Sequence, residues 1–213
     1  MKNFIWDFDG TLFDTYTHTV STLHQLMEEA GKPCDYHVLF AKSRRSLNEA
    51  REYCGANDEE WIEFYKREAV IETEPVAFAY ENAEKMLKTV IDNGCKNYIY
   101  THRDAVTFKY LEKYDWMKYF ADFVTAEYNF PHKPAPDAIL HLIKKHNMDI
   151  NETIMIGDRE IDVLSGKNAG IFACLFTQGN TDIQYIEQIK NTKADYVVSD
   201  MSALRNLFFP TVF

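Results

Sequence analysis

The sequence predicts an α/β fold: a doubly wound, Rossmann-like parallel sheet core interrupted by an inserted helical domain. Three observations carry this prediction. An apolar run at the N-terminus, Phe4-Ile5-Trp6-Asp7-Phe8, reads as a buried parallel strand, which is apolar nearly throughout because both of its faces are covered. From about residue 81 onward, strand-length apolar runs alternate with helix-period segments, the pattern of a parallel sheet with helices on both faces. Residues 15–80 between them are helical in character and contain no convincing strand. The expected domains are therefore 1–14 with 81–213, forming the core, and 15–80, forming the insert.

The first strand ends in Asp7 and Asp9, with Gly10-Thr11 directly after them. Ligands in open α/β sheets bind at the carboxyl ends of strands, so these acids stand where chemistry is expected. Two carboxylates at the tip of a core strand call for an offsetting cation, and Mg²⁺ is the hard partner that suits them. Two solvated acids at a turn would present the same residues. Gly10 lets the backbone approach a ligand, and Thr11 supplies a hydroxyl.

In the insert, apolar positions from His18 to Ala30 recur at helical spacing until Gly31-Lys32-Pro33 stops them. Short helices are expected around Val38-Leu39-Phe40 and from Leu47 to Tyr53. A further helix begins at Asp58-Glu59-Glu60, whose acids favour a helix N-terminus. The core resumes with a helix over Ala83 to Ile91 and a strand over Asn97 to Thr101. A helix from Ala105 to Lys113 and a strand from Phe123 to Ala126 follow. The next expected elements are the helix Pro136 to His146, the strand Thr153 to Gly157 and the helix Ile161 to Ala169. The last strands, Ile171 to Phe176 and Tyr196 to Val198, flank a helix from Thr181 to Ile189. The apolar end, Phe208 to Phe213, is expected to pack on the core, with a dimer contact as the alternative.

Composition narrows the function. The chain of 213 residues is 46% hydrophobic and 15% aromatic, enough for a filled core, so global disorder is excluded. Its 23 basic residues against 33 acidic ones give a net charge of −10, which argues against nucleic acid or an anionic membrane as partner. Cys34, Cys54, Cys95 and Cys174 lack the spacing of a zinc or redox motif and read as reduced thiols. No signal peptide or membrane span is apparent. A cytoplasmic protein, monomeric or weakly dimeric, is expected.

Three more strand ends carry polar groups. Thr101-His102-Arg103 offers a hydroxyl and backbone N–H groups that can cradle a phosphate oxygen, although Thr101 or Asp104 would equally serve as a helix cap. Lys133, in His132-Lys133-Pro134-Ala135-Pro136, could neutralise phosphate at the mouth of an acidic site or be an ordinary loop charge. In Gly157-Asp158-Arg159-Glu160-Ile161-Asp162, Asp158 would face the same crevice as Asp7, and Asp162 lies one helical turn further on. Acids at a helix start would also favour the dipole.

Asp-x-Asp-Gly-Thr, then Thr-His-Arg, then Lys-Pro, then Gly-Asp-x-x-x-Asp resembles the four-part signature of the haloacid dehalogenase superfamily over residues 4–176. The helical insert resembles the cap of the subgroup containing phosphoglycolate phosphatase and β-phosphoglucomutase. The resemblance implies an Mg²⁺-dependent phosphatase of a small phosphorylated metabolite, acting through an aspartyl-phosphate. Carried over, Asp7 is the nucleophile, and Asp9 is the acid/base that protonates the leaving oxygen and then activates water. Thr101, His102 and Lys133 bind phosphate. Asp7, the carbonyl of Asp9 and Asp158 hold the metal, and Asp162 supports them.

As the family is known, an acid at position 9 argues against halide release and phosphonate cleavage. A sugar-phosphate mutase is the alternative. Its cap histidine would fall where Thr19 stands, with His18 one position away, and His18 reads more simply as a core-facing or solvated histidine. A receiver-type phospho-accepting signalling domain is a remote third reading. In the insert, Lys42-Ser43-Arg44-Arg45-Ser46 falls where related caps place a substrate-reading loop, so Arg44 and Arg45 are expected either to meet substrate or to form a solvated charge run.

Overall fold

In the computed structural model, which describes residues 1–71, 75–179 and 191–210, the N-terminal apolar run forms strand β1 (Asn3–Trp6). Phe4, Ile5 and Trp6 are fully buried. Alternation splits them between two faces of the sheet. Ile5 enters a cluster with Tyr98, Tyr100, Val124, Ile139 and Leu142. Phe4 stacks on Trp6 and meets Phe208 and Phe209, with ring centroids 5.5 and 5.7 Å away. The described part of the apolar C-terminal segment thus covers β1, while residues 211–213 lie outside the described residues.

The chain divides into two compact units, residues 1–12 with 79–213, and residues 13–78. The first unit adds helix α5 (Ala83–Asp92), β2 (Lys96–Tyr100), α6 (Val106–Lys113) and β3 (Phe120–Val124). It continues with α7 (Asp137–His146), β4 (Thr153–Gly157), α8 (Glu160–Asn168) and β5 (Phe172–Phe176). It closes with β6 (Tyr196–Val198) and α9 (Met201–Phe208). The strands pair in parallel in the order β3-β2-β1-β4-β5-β6. The chain therefore winds outward from β1 in one direction and returns to the other side of it at β4. That reversal creates a switch point beside β1, where open sheets carry their ligand crevice.

A buried polar network fixes the depth of β1. The Trp6 indole N–H donates to Asn97 Oδ1 at 2.9 Å, and the Asn97 amide donates to the carbonyls of Leu87 and Tyr119. A buried Asn left unsatisfied would cost ~1–3 kcal/mol per group, so this closed network ties β1 to β2 and its flanks.

The second unit consists of helices α1 (Tyr16–Glu29), α2 (Tyr36–Arg45), α3 (Leu47–Cys54) and α4 (Asp58–Ile71). The starts of α2, α3 and α4 have a local cause. Asp35 accepts the Val38 N–H, and Ser46 accepts the Asn48 N–H. Asn57 and Glu60 cap each other reciprocally ahead of α4. Val20, Leu23, Met27, Leu39, Trp61 and Phe64 close the unit's core.

Several expectations shift. Helix α2 runs through Arg45, so the Lys42–Arg45 basic patch is the last turn of a helix and not a loop. Three cations there complement the negative end of the helix dipole. Strand β3 begins at Phe120, three residues before the expected start, because its pairing opens at Asn97 with Phe120. Helix α9 had no counterpart in the sequence reading, although Asp200 caps it through the Ala203 N–H at 2.8 Å. The helix expected over Thr181 to Ile189 lies outside the described residues.

Candidate active site

Adjacency of β2, β1 and β4 brings the residues after Tyr100, Trp6 and Gly157 side by side at one edge of the sheet. The ladder continues one step past β1 and β2. The Asp7 N–H donates to the Ile156 carbonyl at 2.8 Å, and the Thr101 N–H to the Val124 carbonyl at 3.0 Å. These polar side chains are therefore held by sheet geometry, which is far stiffer than a free loop.

Lys133 reaches the same edge from the segment before α7. Its ammonium donates to Asp7 Oδ1 at 2.6 Å, Asp162 Oδ1 at 2.8 Å and the Tyr100 carbonyl at 3.0 Å. Three donors meet three acceptors. The Lys133 side chain is 0% exposed, and its ammonium lies 4.5 Å from the centroid of the Tyr100 ring. Burial alone would lower its pKa, but the Asp162 and Asp7 carboxylates hold it above the ordinary lysine value. The same charges keep Asp162 low: burial pushes its pKa up, and Lys133 and Arg159 more than offset that.

Asp162 sits at the start of α8, where its Oδ2 accepts the Arg159 N–H at 2.9 Å. One carboxylate thus accepts a backbone N–H at the helix start and also pairs with Lys133. Glycine at position 157 makes this possible: a Cβ there would lie 2.3 Å from the Asp162 Cβ. Any side chain at 157 would displace Asp162 and, with it, the acceptor for Lys133.

Asp7 is less fully compensated than Asp162. Burial, followed by the charges of Asp162 and Asp158, pushes its pKa up to about 8 against the pull of Lys133 and Arg159. Its Oδ2 is buried and has no hydrogen-bond partner among the described residues. Oxygens of Asp7, Asp158 and Asp162 lie within 4.8 Å of one another, all three residues buried. An all-oxygen set with an orphaned carboxylate oxygen fits a hard divalent cation, whose charge would favour the ionised form of Asp7.

The second acid of the strand faces a different partner. Asp9 Oδ1 accepts from Arg103 Nε at 2.9 Å and from Nη2 at 2.7 Å. Thr101 is buried, and its hydroxyl oxygen accepts the Arg103 N–H at 3.0 Å, which leaves the hydroxyl proton to be donated. Capping of α6 falls instead to Asp104, whose Oδ1 accepts the Val106 N–H. His102 Nε2 accepts the Lys133 N–H at 2.9 Å, so its proton resides on Nδ1. Burial, with the nearby charges of Lys133 and His132, lowers the His102 pKa to about 4, and the ring is neutral near pH 7.

Arg44 and Arg45 belong to the second unit. Arg44 is 5% exposed and stands 5.9 Å from the Tyr16 ring centroid, and Arg45 pairs with Glu49 at 2.9 Å. Neither is part of a solvated charge run. His18 lies half-buried, 3.9 Å from Glu68. Two contributors escaped the sequence reading. Arg103 was legible as the lone guanidinium at the strand end beside Asp9. The Tyr100 carbonyl leaves no trace in sequence, because a main-chain acceptor has no residue type.

Comparison with known proteins agrees with this geometry. The model of the haloacid dehalogenase-like hydrolase family matches residues 4–176. The phosphoglycolate phosphatase of Agrobacterium fabrum is 28% identical over 222 residues, covering 96% of this chain and 91% of its own. That of Psychrobacter arcticus is 27% identical over 220 residues, covering 94% and 92%. Among solved structures, a hydrolase from Streptococcus pneumoniae TIGR4 superposes with a TM-score of 0.68 at 26% identity, covering 90% of this chain and 100% of its own. With the acidic strand tips, the buried lysine and the family match in hand, the chain belongs to the haloacid dehalogenase-like hydrolase family, and its relatives there include enzymes named as phosphatases.

Proposed function

We propose that the protein is an Mg²⁺-dependent phosphatase of small phosphate monoesters that works through a phosphorylated Asp7. The observation that carries this is the Lys133 ammonium fixed between Asp7 and Asp162 in a buried site, with Asp7 Oδ2 left over. A carboxylate attacking a phosphate dianion meets like-charge repulsion, so the attacking group needs cations already in place.

Each residue then has a task. A carboxylate oxygen of Asp7 attacks phosphorus, and the bond to the ester oxygen breaks. Asp9 gives its proton to the departing oxygen, then takes one from the water that cleaves the Asp7–phosphorus bond, which restores Asp7 and releases phosphate. Thr101 donates to a phosphoryl oxygen, the Lys133 ammonium beside Asp7 offsets phosphoryl charge electrostatically, and neutral His102 holds the Lys133 backbone. Asp162 orients Lys133. Asp7, the Asp9 carbonyl and Asp158 would hold Mg²⁺, which when bound neutralises phosphoryl charge.

The helical unit serves as a cap, in which Arg44 or Arg45 meets an anionic or hydroxylated part of the substrate. The phosphatase names among the relatives favour a small phosphorylated acid as substrate. His18 beside Glu68, with Thr19 where a mutase would need its histidine, gives a mutase no added support. The cytoplasm suits the four free cysteines, of which Cys174 is pushed up to about 12 by burial.

The test is phosphate release with Mg²⁺ from a panel of aryl, sugar and carboxylic-acid phosphates. Release is expected to fall to background in Asp7→Asn and after chelation of the metal. Turnover by Asp7→Asn at more than a tenth of the parent rate would refute the reading.

A further inference from the structure

We infer that Arg103 is a positioning residue for proton transfer, holding Asp9 in register with Thr101 so that the leaving oxygen and the phosphoryl group are served together. This rests on the phosphatase reading and deepens it by giving a task to a residue outside the acid, lysine and threonine set.

Arg103 is built into the site from both ends. Its Nε and Nη2 both donate to Asp9 Oδ1, at 2.9 and 2.7 Å, which fixes the carboxylate's rotation as well as its position. Its own N–H donates to Thr101 Oγ1 at 3.0 Å, and its carbonyl accepts the Ala126 N–H at 3.0 Å, pinning the backbone to the end of β3. Its guanidinium carbon lies 5.8 Å from the Tyr110 ring centroid, and Tyr110 is itself buried and packed edge-on against Phe8, between the two strand-tip acids in sequence. The Arg103 side chain is 13% exposed. One residue thus spans from the group that moves the proton to the hydroxyl that grips phosphate. A lysine at 103 would offer a point charge without the planar fork, and would hold Asp9 without orienting it.

A positioned acid matters in proportion to how badly the leaving oxygen needs a proton. Alkyl phosphates need one, whereas a nitrophenyl phosphate leaves as a stable anion and hardly does. General disruption of the fold or of phosphate binding would slow both substrate types alike.

The experiment compares kcat for an alkyl phosphate and for 4-nitrophenyl phosphate in the parent protein, Arg103→Lys, Arg103→Met and Asp9→Asn, with Mg²⁺ present. Arg103→Met is expected to lose about 100-fold or more on the alkyl ester and less than about 10-fold on the nitrophenyl ester, an efficiency range ordinary for general acid catalysis. Arg103→Lys should fall between. In the Asp9→Asn background, Arg103→Met should cost little more on the alkyl ester. Equal losses on both esters, or full additivity with Asp9→Asn, would overturn the inference. If Arg103→Met does not fold, Arg103→Lys carries the same comparison of esters. Parent protein that turns over neither ester, nor any phosphate of the panel, sinks the phosphatase reading and the inference with it, whereas an active parent with equal losses sinks the inference alone.

Discussion

Lys133 in the core and Arg45 in the helical unit are both cations bonded to carboxylates at under 3 Å, yet their surroundings make them different objects. The Lys133 side chain has no exposure and carries two carboxylates and a carbonyl. Arg45, its own side chain 13% exposed, is paired along α2–α3 with Glu49, whose side chain is 42% exposed. In water-facing surroundings such a pair nets ~0–1 kcal/mol, since screening and side-chain entropy consume most of the attraction. In the interior, removing one member leaves charge that nothing solvates. The difference is access to water: the Lys133 cluster is sealed from it, whereas the Arg45 pair reaches it through Glu49.

Breaking the core cluster should give the largest effect. Lys133→Met leaves Asp7 and Asp162 facing each other, and ~3–5 kcal/mol of stability should disappear in urea unfolding at neutral pH. A loss below ~1 kcal/mol would mean that the carboxylates are solvated or protonated at little cost, and would erase the contrast with Arg45.

An intermediate effect is expected from acid. The folded His102 pKa, about 4, lies below its ordinary value of 6.5. Between those values the unfolded chain binds the extra proton, so stability rises with pH there and is lost as pH falls from 6.5 toward 4. His102→Gln retains an acceptor for the Lys133 N–H and removes the titration. Its stability should therefore depend less steeply on pH over that window, measured by denaturant midpoint. An unchanged slope would assign the acid sensitivity elsewhere.

The smallest effect belongs to the helical unit. Arg45→Ala should shift stability by no more than ~0.5 kcal/mol, while Arg44→Ala, which removes a buried side chain lying by Tyr16, should cost ~1–3 kcal/mol. On the best substrate of a phosphate panel, at least one of the two should raise KM. Unchanged kinetics in both would remove the substrate role from this helix end.

Much of this was readable along the chain. The strand at Thr153–Gly157, the helix–strand alternation and the polar groups after β1, β2 and β4 follow from local pattern, because a parallel strand buried on both faces must be apolar and must end where it meets solvent, whereas Lys133 stands well past β3, in the segment before α7. What went unread had competing local signals. Asp200 is a plain cap signal for α9, yet the aromatics at Phe208 and Phe209 drew the segment toward a tail. The basic run Lys42–Arg45 is placed in a loop by resemblance to related caps, although the same cations suit a helix C-terminus.

The sequence by itself determined which residue types stand at each strand tip and in what order, since strand ends, glycines and caps are written locally. Only the tertiary structure decided who faces whom. Asp7 and Asp9, two residues apart, part company: one joins Lys133 and Asp162, the other joins Arg103. That division depends on β2 and β4 flanking β1, relations between segments more than 90 residues apart that no local pattern encodes.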